Sequence, residues 1–269
     1  MRNRGGLIIA VFLWLSPLQA ETGFWPDSED ENMTRGVIFV SLGCDCFIAK
    51  ALRHWRLRNA AFPFDWNFSL FLDKVIKLID EDFRFFFTRD FGHQSCCGCK
   101  GNLYSVEFCH DNPFYDPADP ETTEIMLKYE RRIERFRSLR FYPGKVIFMR
   151  QAYDNFQWPN AEFGRRIGKI DKEEALALRD SLRRYFPGLD FLLVIINLDN
   201  AGVPPITDIE NVIEYKIGSF HKFGSYRAIF EELMNFGVLR NPDLPRMIPF
   251  QAEINGKNDG TIRTIENNI

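Results

Sequence analysis

The chain has 269 residues, of which 45% are hydrophobic and 26% are charged, and its formal net charge is −3. This balance is that of an ordinary globular protein, and it argues against disorder over most of the length and against strong electrostatic binding to nucleic acid. The 27 phenylalanines predict a core built largely from aromatic rings.

The first residues have the pattern of a secretory signal peptide. Arg2 and Arg4 precede an apolar run at 7–15, and Ala20 supplies a small residue at the expected cleavage site. We therefore divide the chain into a signal peptide at 1–20, a flexible acidic leader at 21–34, one domain at 35–254 and a polar tail at 255–269. This predicts a secreted, lumenal or periplasmic protein that has no membrane contact after signal cleavage. The alternative is an uncleaved N-terminal anchor.

Apolar periodicity and turn residues predict the elements of the domain in chain order. We expect a strand at 35–43, a helix at 46–55, an extended segment at 60–66, a helix at 70–79 that continues through 82–87, and a strand at 103–108. A helix at 121–139, a strand at 145–150, a helix at 172–185, strands at 191–198 and 212–217, and a helix at 226–236 follow. This alternation indicates an α/β fold: a single domain with a mainly parallel sheet and helices on both faces.

Cys46 stands where the first predicted strand turns into the first predicted helix. Gly43 allows a sharp turn, and Asp45 is the expected N-cap. Backbone N–H groups and the helix dipole at this place stabilise both a thiolate and an oxyanion, so Cys46 is a candidate nucleophile. The alternative is that Cys46 is a small apolar residue of the core.

A nucleophilic thiolate needs a base, and the chain has 4 histidines. His110 is the best candidate because it ends the predicted strand at 103–108, and polar side chains gather at the carboxyl ends of strands in α/β sheets. The alternative is a surface histidine at a strand end. His54 lies about 12 Å along the helix from Cys46, which is too far for contact. His221 is isolated, and His93 lies in a cysteine-rich loop where it could ligate a metal.

Two motifs carry a family resemblance. The run SLGCDCFIAKALRHWRLRNAAFPFDW at 41–66 and the later FCHD at 108–111 resemble a domain family of unknown function whose members are described as papain-like cysteine peptidases. The resemblance covers residues 36–240, and its specific motifs lie at 40–66 and 103–111. It implies a thiol-dependent hydrolase, a cysteine peptidase or amidase, that acts by acyl transfer.

The resemblance also assigns roles to individual residues. Cys46 matches the family cysteine and would attack the carbonyl, His110 would act as base, and Asp65 would orient the imidazole. Trp66, in the same Pro-Phe-Asp-Trp block, is a candidate substrate contact, whereas Cys44 is an additional cysteine. Asp65 could instead cap a turn, in which case the orienting group would be one of three other residues: Asp111, Asn197 or Asp199. Arg150 ends a predicted strand and is a candidate to bind a substrate carboxylate or phosphate.

The predicted export determines how we interpret the remaining cysteines. Disulfides are expected among Cys96, Cys97, Cys99 and Cys109, and Cys44 could pair into the 96–99 loop. Zinc is the alternative, but the spacing lacks two clean Cys-x-x-Cys pairs, so we expect neither a metal nor another cofactor.

Two other function classes remain open. One is a noncatalytic binding or glycan-associated module, in which Cys46 belongs to the core. The other is a glycan-modifying transferase that uses Asp65, His110 and Arg150 without a covalent step. The expected substrate is a peptide, an amide or a glycan-linked group. The arginines of the 121–139 helix are read as a solvated face with i,i+4 pairs, and a phosphate or polysaccharide contact is the alternative.

Overall fold

The structure is a computed structural model that describes residues 36–89, 101–111, 120–153, 168–199, 202, 204–220 and 222–235. The predicted signal peptide, acidic leader and polar tail lie outside these residues. The same is true of five residues singled out from the sequence: His93, Cys96, Cys97, Cys99 and His221. The predictions made for all of them stay predictions.

Four strands form one sheet in the described part of the chain: β1 (Val37–Ser41), β2 (Lys145–Gln151), β3 (Phe191–Leu198) and β4 (Val212–Ile217). Their order in the sheet follows the chain, and every neighbouring pair is parallel. β1 and β3 are buried along their whole length, as expected of parallel strands that are covered on both faces. The predicted α/β fold with a parallel sheet is confirmed.

Five α-helices accompany the sheet within the same residues: α1 (Phe47–His54), α2 (Leu72–Asp80), α3 (Pro120–Ser138), α4 (Lys172–Tyr185) and α5 (Phe223–Asn235). A 3-10 turn at Leu139–Phe141 extends α3. The start of α4 is fixed by a capping box, in which Asp171 and Glu174 each accept a hydrogen bond from the other's backbone N–H. No helix in these ranges is both long and apolar enough to cross a membrane.

Aromatic contacts show that helices cover both faces of the sheet. Phe39 of β1 packs edge-on against Phe230 of α5, with ring centroids 5.9 Å apart. Phe148 of β2 is one register position away from the residue paired with Phe39, so it faces the opposite side. There it contacts Phe136 of α3 at 6.0 Å and Phe186, which follows α4, at 5.6 Å. The predicted aromatic core therefore lies between the sheet and its helices.

The predicted strand at 103–108 is wrong. Residues 101–107 instead close into a tight loop, because the Asn102 side-chain oxygen accepts from the Tyr104 and Val106 N–H groups at 2.9 and 3.0 Å. Ser105 has a positive φ of 57°, which breaks any strand at that point. The argument that put His110 at a strand end therefore fails, although its position is fixed in another way described below.

Two further local predictions are wrong. The helix α2 does not continue through 82–87, because Asp82 and Phe83 take positive φ angles of 51° and 58° and the chain forms turns. Residues 63–66 also form turns rather than an extended segment. The other elements are confirmed, with ends that differ from the predicted ones by a few residues.

Candidate active site

The chain turns sharply between β1 and α1, at the carboxyl edge of the sheet. Gly43 has a φ of +77°, and a Cβ at this position would lie 2.2 Å from Ser69 Oγ and 3.1 Å from Phe64 Cβ. Cys44 also has a positive φ, +95°, a conformation that costs energy for a residue with a side chain. Only glycine fits at 43, whereas Cys44 needs neighbours to hold it in place.

Ser69 and Arg150 hold this turn from the other side. Ser69 Oγ accepts from the Cys44 N–H at 3.1 Å, and the Ser69 N–H donates to the Cys44 carbonyl at 2.9 Å. Arg150 Nη1 donates to the same Oγ at 3.2 Å and to the Leu42 carbonyl at 2.9 Å. Its Nη2 donates to the carbonyls of Ser69 and Leu70 at 2.7 and 3.0 Å. The buried guanidinium thus ties β2 to both sides of the turn.

Cys46 lies at the start of α1, as predicted, and its side chain is half-buried. It is itself the N-cap residue, and its carbonyl accepts the first helical bond from the Lys50 N–H at 2.9 Å. Asp45 precedes the cap rather than being the cap, and its Oδ1 accepts from the Phe47 N–H at 2.7 Å in an Asx turn. The first-turn N–H groups have no partner inside a helix, so this position favours negative charge.

A buried chain of hydrogen bonds supports Asp45. Gln151 at the end of β2 donates from Nε2 to Asp45 Oδ1 at 3.1 Å, and its Oε1 accepts from the Tyr226 hydroxyl of α5 at 2.7 Å. Burial raises the pKa of the Tyr226 hydroxyl, and the nearby Asp45, Cys44 and Cys46 raise this pKa further. Tyr226 therefore stays protonated and acts as a donor.

Trp66 and His110 contact each other through their rings. The Phe68 N–H donates to the Glu107 carbonyl at 2.9 Å, and the Glu107 N–H donates back at 2.7 Å. This antiparallel bridge brings residue 110 alongside residue 66, and the two rings meet edge to face with centroids 6.2 Å apart. His110 is exposed to solvent. Within the described ranges, the Cys46 thiol and the His110 imidazole form no hydrogen bond with each other.

Comparison with known proteins identifies the family. Residues 37–201 match a family model described as "Putative papain-like cysteine peptidase (DUF1796)". The chain belongs to this family. It is also 28% identical over 202 residues to an uncharacterized protein, R408, of Acanthamoeba polyphaga mimivirus, covering 66% of this chain and 86% of the viral protein. No solved structure matches the chain.

The region matched by the family model contains all five site residues predicted from the sequence. Cys46, Asp65, Trp66, His110 and Arg150 all lie within 37–201. Tyr226 lies beyond the matched region, on α5. The family label supports a cysteine hydrolase in general terms.

Asp65 is buried and engaged by a neighbouring arginine. Its Oδ2 accepts from Arg58 Nη2 at 2.7 Å and Nε at 3.2 Å, and from the Phe62 N–H at 2.9 Å. The Arg58 guanidinium also lies over the Trp66 ring, 5.3 Å from its centroid. Asp65 thus closes the turn at 62–65, as the turn-capping alternative expected, and it is joined to His110 through Arg58 and Trp66.

Cys44 and Cys109 are free cysteines, so neither the disulfide considered between Cys44 and the 96–99 loop nor the one expected for Cys109 is formed. The Cys44 side chain is fully buried in a small cluster with Leu70, Phe68, Phe71 and Tyr153. Burial raises the pKa of the Cys44 thiol, and the charge of Arg150 only partly opposes this rise. Cys44 is therefore a protonated core residue rather than a candidate nucleophile.

Within the described ranges, the remaining polar candidates form no hydrogen bond or ion pair with one another: Arg150, Asn197, Asp111 and Asp199. Arg150 is only 1% exposed, and both of its terminal nitrogens donate to protein oxygens. Its role in the structure is therefore to hold the turn between β1 and α1. Asn197 is fully buried and exchanges two hydrogen bonds of 2.9 Å with the backbone of Ile170, next to the start of α4. Asp111 accepts from Lys128 and Tyr129 of α3 at 2.5 and 3.1 Å.

Sequence reasoning missed three residues that shape the site: Ser69, Gln151 and Tyr226. Ser69 follows the Pro-Phe-Asp-Trp block, and Gln151 follows Arg150 at the end of β2, so their positions near motif residues were a usable signal. Tyr226 gave no such signal, because it is far along the chain. In the described ranges, no group of three or more His, Cys, Asp or Glu side chains could hold a metal ion.

Proposed function

We propose that the protein is a thiol-dependent hydrolase in which Cys46 attacks an acyl carbon and His110 transfers the proton. The observation that carries this proposal is the position of Cys46. Its thiol is half-buried at the N-cap of α1, directly after a sharp turn at the carboxyl edge of a parallel sheet. This is where an α/β protein presents its reactive side chains.

The chemistry follows the general course of acyl transfer. The Cys46 sulfur adds to the carbonyl carbon, and the resulting oxyanion is stabilised by N–H groups of the first turn of α1. His110 takes the thiol proton and gives it to the leaving amine, and the C–N bond breaks. Water then attacks the thioester, with His110 again as base, and releases the acid and the Cys46 thiol.

In this proposal, Trp66 holds His110 for its role as base. Arg58 binds Asp65 and stacks on Trp66, and the Trp66 ring contacts the imidazole edge to face. Asp65 therefore acts as a positioning residue for His110 in this proposal. The hydrogen bond between Cys46 and His110 would form when substrate is bound, since catalytic hydrogen bonds are commonly long in unliganded sites.

The substrate class and location complete the proposal. An amide, in a peptide or linked to a glycan, is the substrate that this chemistry fits. The apolar run at 7–15 behind Arg2 and Arg4 supports export through the secretory route.

The test is the alkylation rate of Cys46 by iodoacetamide as a function of pH, read for each cysteine by mass spectrometry. We expect a rate plateau well below pH 8 in the wild type that is lost in His110→Ala, because an activated thiol is a thiolate near neutral pH. His54→Ala is the matched control, since His54 is an exposed histidine at the far end of α1. Its profile should equal that of the wild type.

A noncatalytic binding module is the second candidate. The observation that favours it is the missing hydrogen bond between Cys46 and His110 in the described part of the chain. It predicts that Cys46 reacts slowly, with the same pH profile in the wild type and in His110→Ala. That result would overturn the hydrolase proposal.

A further inference from the structure

Arginines from α3 meet the loop after α1 on the side of the molecule that carries Trp66. Arg135 of α3 donates from Nη1 to the Ala61 carbonyl at 2.7 Å, which joins the helix to this loop. Arg131 and Arg132 lie four and three residues before Arg135, so they share its face of the helix. Arg58 lies in the loop itself, with its guanidinium over the Trp66 ring.

The arginine cluster consists of Arg58, Arg131, Arg132 and Arg135. Its positive charges exceed the negative charges that its contacts supply. Arg58 is neutralised by Asp65, its ion-pair partner at 2.7 Å. Asp111, the other carboxylate next to the cluster, accepts from Lys128 and Tyr129. Burial lowers the pKa of Arg135, and the charges of Arg132, Arg131 and Arg58 lower it further, whereas Asp65 only partly offsets them. Mutual repulsion among the guanidiniums is therefore not fully compensated.

Arg132 supplies an independent sign of a missing partner. Its guanidinium lies over the Tyr129 ring, 4.6 Å from the centroid, and the residue is only 7% exposed. Its Nη1 is buried and has no hydrogen-bond partner in the part of the chain that the structure describes. A buried charged donor without an acceptor costs free energy, so native proteins rarely keep one unless it serves a purpose. Exposed Arg131 and half-buried Arg135 connect this group to solvent.

We propose that Arg131, Arg132 and Arg135 form a binding site for a phosphate group next to Trp66. Guanidinium forks bind phosphate oxygens through paired, charge-assisted hydrogen bonds. A doubly charged anion fits better than a carboxylate, because the one carboxylate inside the cluster, Asp65, already neutralises Arg58 and several positive charges remain. The site does not depend on the thiol chemistry, since no step of binding involves Cys46.

The test measures phosphate binding to the full-length protein. Isothermal titration with sodium phosphate is done at constant ionic strength, with sodium chloride and sodium acetate titrated in parallel. We expect saturable binding of phosphate, and Arg132→Gln should weaken it about tenfold, the loss of one charge-assisted hydrogen bond. Arg131→Gln should weaken it several-fold without affecting folding, because Arg131 is exposed.

Arg140→Gln is the matched control, since Arg140 is an exposed arginine that follows the same helix and donates to the Arg137 carbonyl. Its affinity for phosphate should equal that of the wild type. Three results would overturn the proposal: phosphate that binds no better than chloride, acetate that binds as tightly as phosphate, or equal weakening by Arg140→Gln. Cys46→Ser should bind phosphate normally, so failure of the hydrolase proposal leaves this measurement intact.

Discussion

Replacement of Ser69 by alanine should show how strongly the turn before Cys46 is held. The Ser69 hydroxyl is buried and accepts from two donors, the Cys44 N–H at 3.1 Å and Arg150 Nη1 at 3.2 Å. Alanine keeps the Ser69 backbone bond to the Cys44 carbonyl but removes both of these acceptor contacts. The Cys44 N–H is then buried without an acceptor, in a residue whose φ of +95° is already unfavourable.

The expected loss of stability follows from these two contacts. A buried backbone donor left without a partner costs about 1–3 kcal/mol. Arg150 loses less, about 0.5–1 kcal/mol, because the carbonyls of Leu42, Ser69 and Leu70 still accept from it. Ser69→Ala should therefore lower the free energy of unfolding by about 1.5–4 kcal/mol. If Cys44 relaxes toward an ordinary φ, the loss in free energy of unfolding would lie at the lower end of this range.

Urea denaturation measures this loss as a shift in midpoint at constant slope. Ser138→Ala is the matched control: within the described residues, the Ser138 hydroxyl donates only to the Arg135 carbonyl of α3, and Ser138 is half-buried. Its loss should stay below about 1 kcal/mol. If Ser69→Ala were no more destabilising than Ser138→Ala, the hydroxyl would not hold the turn and our account of the Cys44 conformation would be refuted.

Three further changes test other parts of the structure. Gly43→Ala should cost about 2 kcal/mol or more in urea denaturation, because its Cβ would lie 2.2 Å from a neighbouring hydroxyl and φ is +77°; unchanged stability would contradict the geometry. Tyr226→Phe removes the donor to Gln151 and should cost about 1 kcal/mol, measured in the same way. Partial burial raises the pKa of Asp82, but the bonds from Arg137 and Tyr185 outweigh this and hold it below its usual value. A lowered pKa means that the ion pair stabilises the fold at neutral pH and is lost as the pH falls through that pKa. Asp82→Asn should therefore cost up to about 1 kcal/mol near pH 7 and nothing in strong acid, which unfolding midpoints across pH will show.

The buried strands and long helices could be predicted because their signals are local. The apolar run at 191–198 and the amphipathic run at 172–185 give β3 and α4 with the predicted ends. Asp171 and Glu174 mark the start of α4 in the sequence itself, and the capping box then forms. Parallel pairing follows from the alternation of strands and helices.

The segment at 103–108 could not be predicted, because a side-chain acceptor just before it decides its form. Its alternation of apolar and polar residues is typical of a strand, but the Asn102 side chain takes the Tyr104 and Val106 N–H groups that a strand would pair with a neighbour. The backbone of the segment meets other parts of the chain through the Leu103 N–H bond to the Thr88 carbonyl at 2.6 Å and through the bridge between Glu107 and Phe68. Competition between a side-chain acceptor and a strand partner is invisible in the spacing of apolar residues.

The site was predictable where a motif and an element boundary coincide. Cys46 met both conditions, since a glycine turn and an amphipathic run frame it. Arg150 met the second condition only, and a strand-end arginine can face either a ligand or the protein. The buried position of Arg150 decides between these two possibilities. Its hydrogen bonds to the Leu42 and Ser69 carbonyls direct the guanidinium into the protein. The Tyr226 contact depends on where α5 packs, which no local pattern near Cys46 encodes.

Cys44 and Cys46 lie two residues apart but have different environments, one in the core and one at the start of a helix. Cys44 fills the core, where burial raises its pKa and keeps the thiol protonated. Cys46, two residues later, lies half-buried at the helix start, where backbone N–H groups favour a negative charge. The positive φ of Cys44 makes the sharp turn between them, and Ser69 and Arg150 stabilise that conformation. The additional cysteine of this chain is thus explained as part of the turn, and our proposal assigns the reactive thiol to Cys46.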